Sequence, residues 1–162
     1  MVHVDEILKS LPHTFPFRMV DRILEIEPGK RAVALKAVSV DDFFLQGHFP
    51  RGPVMPVVFI LEAMAQTGGI AFHSLSGTKE GAIPYLARVE KFRSKKRVVP
   101  GDRMILIAEI EHIFSHLAKV KVIARVEEEI AAEGVLVLAH GSPTDNEKDS
   151  KSQGSEGSSE KK

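Results

Sequence analysis

A histidine and a glutamate stand fourteen positions apart in the stretch GHFPRGPVMPVVFILEAMAQTGG, residues 47–69. His48 lies in a segment rich in proline, and Glu62 in a segment that is otherwise nearly all apolar. Imidazole is the side chain whose ordinary titration falls nearest to neutral pH. A carboxyl inside an apolar segment is costly unless it is paired or used. Together they are the parts of a general acid–base site. Each also has a plainer reading alone: His48 as a structural loop histidine, and Glu62 as a carboxyl paired with an arginine of a neighbouring subunit. Gln66 is four residues beyond Glu62 and shares its helix face, with Gly69 and His73 continuing the stripe.

Such a pair needs a rigid loop and a buried helix to position it. Pro50, Pro53 and Pro56 disfavour helix before them and stiffen the backbone. Pro56 is expected as the first helical residue, where a missing N–H costs nothing. From Val57 to Ala65 the run is apolar on nearly every face, the pattern of a buried helix. The expected helix, 57–75, is too short and too interrupted to span a bilayer.

The other elements follow from period and punctuation. Residues 4–11 carry apolar side chains at helical spacing, with Asp5 and Glu6 at the start and Pro12 as a stop. MVDRILEIE reads as a strand, PGK as a turn, and 31–39 as an alternating return strand. A short strand is expected over 85–89, continuing toward Phe92, then the charged break Ser94-Lys95-Lys96-Arg97 and a turn at Pro100-Gly101-Asp102. Two long strands, 103–113 and 116–126, are tightly connected. In the second, Ala118, Val120, Val122, Ala124 and Val126 share one face, and Lys119, Lys121 and Arg125 the other. A polar turn at 127–129 leads to the last strand, 130–140. One apolar helix and an antiparallel sheet give an α+β domain in which a curved sheet wraps the helix. From Gly141 onward no Val, Ile, Leu, Met or aromatic residue occurs. The expectation is a folded domain over 1–140 and a disordered polar tail over 141–162.

Composition narrows the function. With 43% hydrophobic and 27% charged residues, the 162-residue chain reads as soluble and globular. Zero formal net charge offers no bulk attraction to nucleic acid or membrane. No cysteine is present, so neither disulfides nor thiol chemistry enter. The start lacks the apolar core of a signal peptide, and a cytoplasmic location is the default. His112 and His116 flank a turn between strands and read as solvated rather than as metal ligands. No nucleotide-binding glycine motif occurs.

Four segments in order, LPHTFPFRMVDRILEIEPGK, GHFPRGPVMP, LEAMAQTGG and VVPGD, resemble the FabZ-type β-hydroxyacyl-acyl-carrier-protein dehydratases of type II fatty-acid synthesis. The resemblance covers roughly residues 7–140 and implies the hotdog fold. It places His48 at the catalytic base and Glu62 at the catalytic acid, contributed by opposite subunits of a homodimer, with dimers often assembled as trimers of dimers. The related FabA-type dehydratase–isomerases usually carry Asp where Glu62 stands, which favours the FabZ-type reading. The resemblance puts the Val57 N–H at the oxyanion donor, Phe49 beside the substrate, and Gln66 as a group that orients the acid. Tyr85, the sole tyrosine, is either a gate to the acyl tunnel or ordinary strand packing. Arg93, Lys95, Lys96 and Arg97 could steer the acidic acyl carrier protein. Neither metal nor redox cofactor is implied. The chain departs from the family pattern at Arg51-Gly52-Pro53, where the glycine is moved by one; at Val57, where the family has glycine; at Thr14 and Phe15; and in the four-residue SKKR connection, which is longer than usual. Two other functions stay open on the sequence: a hotdog thioesterase acting on acyl-CoA, and a non-catalytic acyl-thioester-binding paralogue.

Overall fold

A computed structural model describes residues 11–74 and 83–141. The expected 4–11 helix, apart from Leu11, and the expected tail beyond Gly141 lie outside the described residues. The chain runs β1 (Arg22–Glu27), β2 (Arg31–Ala37), a 3-10 turn (Phe43–Leu45), α1 (Val57–His73), β3 (Ile83–Ser94), β4 (Arg103–Phe114), β5 (Leu117–Val126) and β6 (Glu129–Gly141). The strands form one sheet in the order β1-β2-β4-β5-β6-β3, antiparallel at every pairing. α1 lies against it and contacts all six strands. This is the α+β hotdog arrangement.

The packing explains the pattern. On β5, Ala118, Val120, Val122, Ala124 and Val126 are buried, and Lys119, Lys121 and Arg125 alternate with them on the wetter face. In α1, Ile60, Met64, Ile70 and Phe72 are fully buried. Each contributes roughly 1.5–3 kcal/mol of apolar burial. The close approach of helix to sheet is visible at Gly68, where a Cβ would stand 2.9 Å from Leu138 Cδ1.

Several boundaries differ from the sequence expectation. Pro56 is the N-cap of α1, not its first residue: its ψ is 135°, while its carbonyl accepts from Phe59 and Ile60. A cap keeps an extended backbone as its carbonyl opens the helix, and proline's φ suits both positions. The helix ends at His73. β2 does not alternate, because Ala32–Lys36 are buried in succession. Lys36 is tolerated there because Asp42 and Asp21 flank its ammonium at 3.2 and 3.4 Å. β3 is longer than expected and crosses to the far edge beside β6. Gly141 belongs to β6 rather than to the tail.

Candidate active site

The loop that carries His48 is fixed at both ends. Before it, Phe44 and Leu45 are buried, and the His48 N–H donates to the Leu45 carbonyl at 3.2 Å. Gly47, at φ +89°, turns the chain in a conformation that L side chains rarely adopt. After it, Met55 is buried and its N–H donates to the Val98 carbonyl at 2.8 Å. Between these anchors, Val54 N–H donates to the His48 carbonyl at 3.1 Å, and Gly52 N–H to that of Phe49 at 3.0 Å.

His48 Nδ1 lies 3.0 Å from the Val54 carbonyl oxygen. A carbonyl can only accept, so Nδ1 carries the proton. In the neutral ring this leaves the lone pair on Nε2. The ring lines a cavity of about 480 Å³ with Val54, Val57, Val58, Lys96 and Arg97. Phe49 stacks on it, with ring centroids 4.2 Å apart, and is itself 57% exposed. Val57 and Val58 occupy the first two helical positions, whose N–H groups have no carbonyl one turn back. Those amides and the positive end of the helix dipole therefore meet at the wall of the His48 cavity.

Glu62 lies elsewhere. It lines a second cavity of about 220 Å³ with His13, Phe17, Gln66, Gly69, Tyr85 and other residues. The two cavities share no lining residue. Gln66 is buried and uses its whole amide. Its Nε2 donates to Glu62 Oε1 and to the Phe17 carbonyl, both at 2.8 Å, and its Oε1 accepts from Met19 N–H at 2.8 Å. It thus fixes the carboxyl and ties the loop over 11–21 to the helix. Tyr85 is 46% exposed at this cavity and crosses over Gly141, where a Cβ would stand 3.0 Å from its ring.

The basic run divides. Lys95 pairs with Glu133 at 2.7 Å and Lys96 with Glu129. These contacts hold the Lys96 ammonium above, and the Glu133 carboxyl below, their ordinary pKa ranges, chiefly through the hydrogen bond to the partner in each case. Arg97 lines the His48 cavity, and Arg93 is exposed on β3 opposite Glu133. His112 and His116 are exposed, and among the described residues no cluster of metal-ligating side chains occurs. One residue at the site was not singled out from sequence. His13 Nε2 is 3.7 Å from Glu62 Oε1. A lone histidine in a proline-rich turn has no periodicity to mark it, and its partner is far along the chain.

Residues 11–140 match the family described as the FabA-like domain. The chain is 44% identical to the 3-hydroxyacyl-[acyl-carrier-protein] dehydratase FabZ of Caldicellulosiruptor bescii, over 86% of this chain and 99% of that protein. It is 48% identical to the FabZ of Caldanaerobacter subterraneus subsp. tengcongensis, over 82% of this chain and 94% of that protein. Among solved structures, the dehydratase heterocomplex ApeI:P from Xenorhabdus doucetiae superposes with a TM-score of 0.75 at 15% identity, over 88% of this chain and 95% of that one. At that identity the likeness is one of fold. By family match and by near full-length relatives, the chain belongs to the FabA-like domain family, among its FabZ members.

Proposed function

We propose that the protein is a 3-hydroxyacyl-[acyl-carrier-protein] dehydratase, a hydro-lyase of type II fatty-acid synthesis working in the cytoplasm. It interconverts a (3R)-hydroxyacyl thioester and the trans-2-enoyl thioester plus water. The observation that carries this reading is the pair of groups that an elimination needs: an imidazole with its Nε2 lone pair free and a carboxyl held by Gln66.

On this reading His48 Nε2 takes the proton from the α-carbon. Charge growing on the thioester oxygen is met by the Val57 and Val58 N–H groups and the helix dipole. Glu62 binds the β-hydroxyl and protonates it as the carbon–oxygen bond breaks, so the C–H electron pair becomes the double bond and water leaves. Acid–base assistance of this kind is typically worth about 10²–10⁴ in rate.

Within one chain the two groups face different cavities, so the reading requires a homodimer in which each site takes His48 from one subunit and Glu62 from the other. Phe17, Phe49, Val57, Val58 and Tyr85, all more than 40% exposed, supply apolar surface around the two half-sites for such an interface. Assembly of dimers into a trimer of dimers follows only from the family resemblance. The acyl carrier protein would dock near the His48 cavity, steered by Arg97, which lines that cavity, and by the exposed Arg93, whose charge is partly offset by Glu133 across the strand pair; Lys95 and Lys96 are already paired with β6.

Hydration of crotonyl and longer enoyl thioesters, followed by loss of the enoyl absorbance, tests the reading. Wild type should be active and should release no free thiol. His48→Ala and Glu62→Gln should each lose about 10²–10⁴ in turnover. Co-refolded mixtures of the two dead variants should regain part of it, because some heterodimers hold one intact site. Wild type inert on every chain length overturns the dehydratase, and mixtures that stay dead overturn the shared site.

A further inference from the structure

We propose that His13 is a positioning residue for Glu62: with Gln66 it holds one carboxyl oxygen and leaves the other to face the substrate. The inference rests on the dehydratase reading above. Gln66 Nε2 donates to Glu62 Oε1 at 2.8 Å, and His13 Nε2 stands 3.7 Å from that same oxygen. Both neighbours address Oε1, so Oε2 is the oxygen left to carry or give a proton.

The other ring nitrogen settles which tautomer of His13 does this. Nδ1 is buried with no hydrogen-bond partner among the described residues. A proton placed there would be a buried, unsatisfied donor, which is disfavoured. The neutral ring therefore carries its proton on Nε2, toward Glu62. A small rotation of either side chain brings that N–H to hydrogen-bond distance when a ligand fills the cavity; catalytic contacts are often long in the empty site.

The loop is built to hold the ring there. Leu11 and Met19 are buried on either side of His13. The Phe17 and Arg18 N–H groups close a turn onto the Thr14 carbonyl at 2.9 and 3.0 Å. Gln66 grips the loop through Phe17 and Met19 with the same amide that holds Glu62. The Phe17 ring lies 6.1 Å from His13 and 6.4 Å from Phe59 of α1, which backs the loop against the helix. Gln66 thus fastens the loop that carries the imidazole to the carboxyl.

The test measures kcat and KM for enoyl-thioester hydration by the full chain. The variants are His13→Met and His13→Gln, each alone and combined with Glu62→Gln. Met and Gln have equal length, but only Gln presents an N–H donor near the place of Nε2. His13→Met should lower kcat by about 10- to 100-fold with KM changed less than about twofold, the signature of a misplaced reacting group. His13→Gln should recover most of that loss. In the Glu62→Gln background, His13→Met should add no further loss, because the group it positions is already gone. His13→Ala replaces His13→Met if the latter does not fold. Unchanged kcat in His13→Met, no recovery in His13→Gln, or an undiminished effect in the Glu62→Gln background overturns the proposal while wild type stays active. Inactive wild type instead removes the dehydratase reading, and this inference with it.

Discussion

At the scale of single residues, the site depends on which atoms remain uncommitted. His48 spends Nδ1 on a backbone carbonyl and keeps Nε2; Gln66 spends every polar atom and so can only orient. The residue types were legible in sequence, because a lone carboxyl and amide at helical spacing stand out in an apolar run. The allotment of atoms was not, since it depends on Val54, Phe17 and Met19, whose side chains play no part in it. Val57 is the substitution most open to test. It is 43% exposed at the His48 cavity, so its isopropyl group narrows the space beside the proposed oxyanion donor without removing that donor. Val57→Gly should raise turnover on long or bulky enoyl thioesters more than on crotonyl. It should also cost about 0.5–1 kcal/mol of stability, because glycine loses more backbone freedom on folding. Turnover across chain lengths, with denaturant unfolding of both proteins, checks this; equal chain-length profiles would show that Val57 does not set the pocket.

At the scale of elements, regular alternation made β5 readable almost to the residue, and a run apolar on nearly every face made α1 readable. β3 was underread because its pairing with β6 shifts register between Leu86 and Arg88 and again between Val89 and Lys91. Each bulge breaks the period of two from which a strand is recognised. Burial of β2 on both faces was hidden by Lys36, whose charge reads as a wet position until Asp21 and Asp42 are seen beside it. Gly134 pairs with Phe92, just past the second shift. A Cβ there would stand 2.6 Å from the Lys91 carbonyl oxygen, a backbone atom that cannot swing away. Gly134→Ala should therefore destabilise the protein by about 1–3 kcal/mol, as overpacking does. An unchanged denaturation midpoint would mean that the strands part there without strain.

At the scale of the whole molecule, helix and sheet are joined at one end by a titratable contact. His140 of β6 stacks on Phe72 of α1, with centroids 3.9 Å apart and rings 5° from parallel. Burial first, and the nearby His73 second, hold the His140 pKa below the ordinary 6.5. The folded state then binds fewer protons than the unfolded chain once the pH drops under 6.5. The contribution of this contact is fully present above that pH and declines as the solution is acidified toward the lowered value. His140→Phe keeps a flat ring on Phe72 and removes the proton. Its melting temperature should fall less than that of wild type between pH 7 and pH 5, and parallel curves would show that the histidine is not the group that titrates.

The division of His48 and Glu62 between two cavities also has a kinetic meaning. On the proposed reading, a chain is a pair of half-reagents that cannot meet each other. While dimers are scarce, catalytic capacity grows as the square of the amount of protein rather than in proportion to it. A newly made chain would be inert toward the thioesters around it until a second copy arrives, so association itself would be the step that turns the chemistry on.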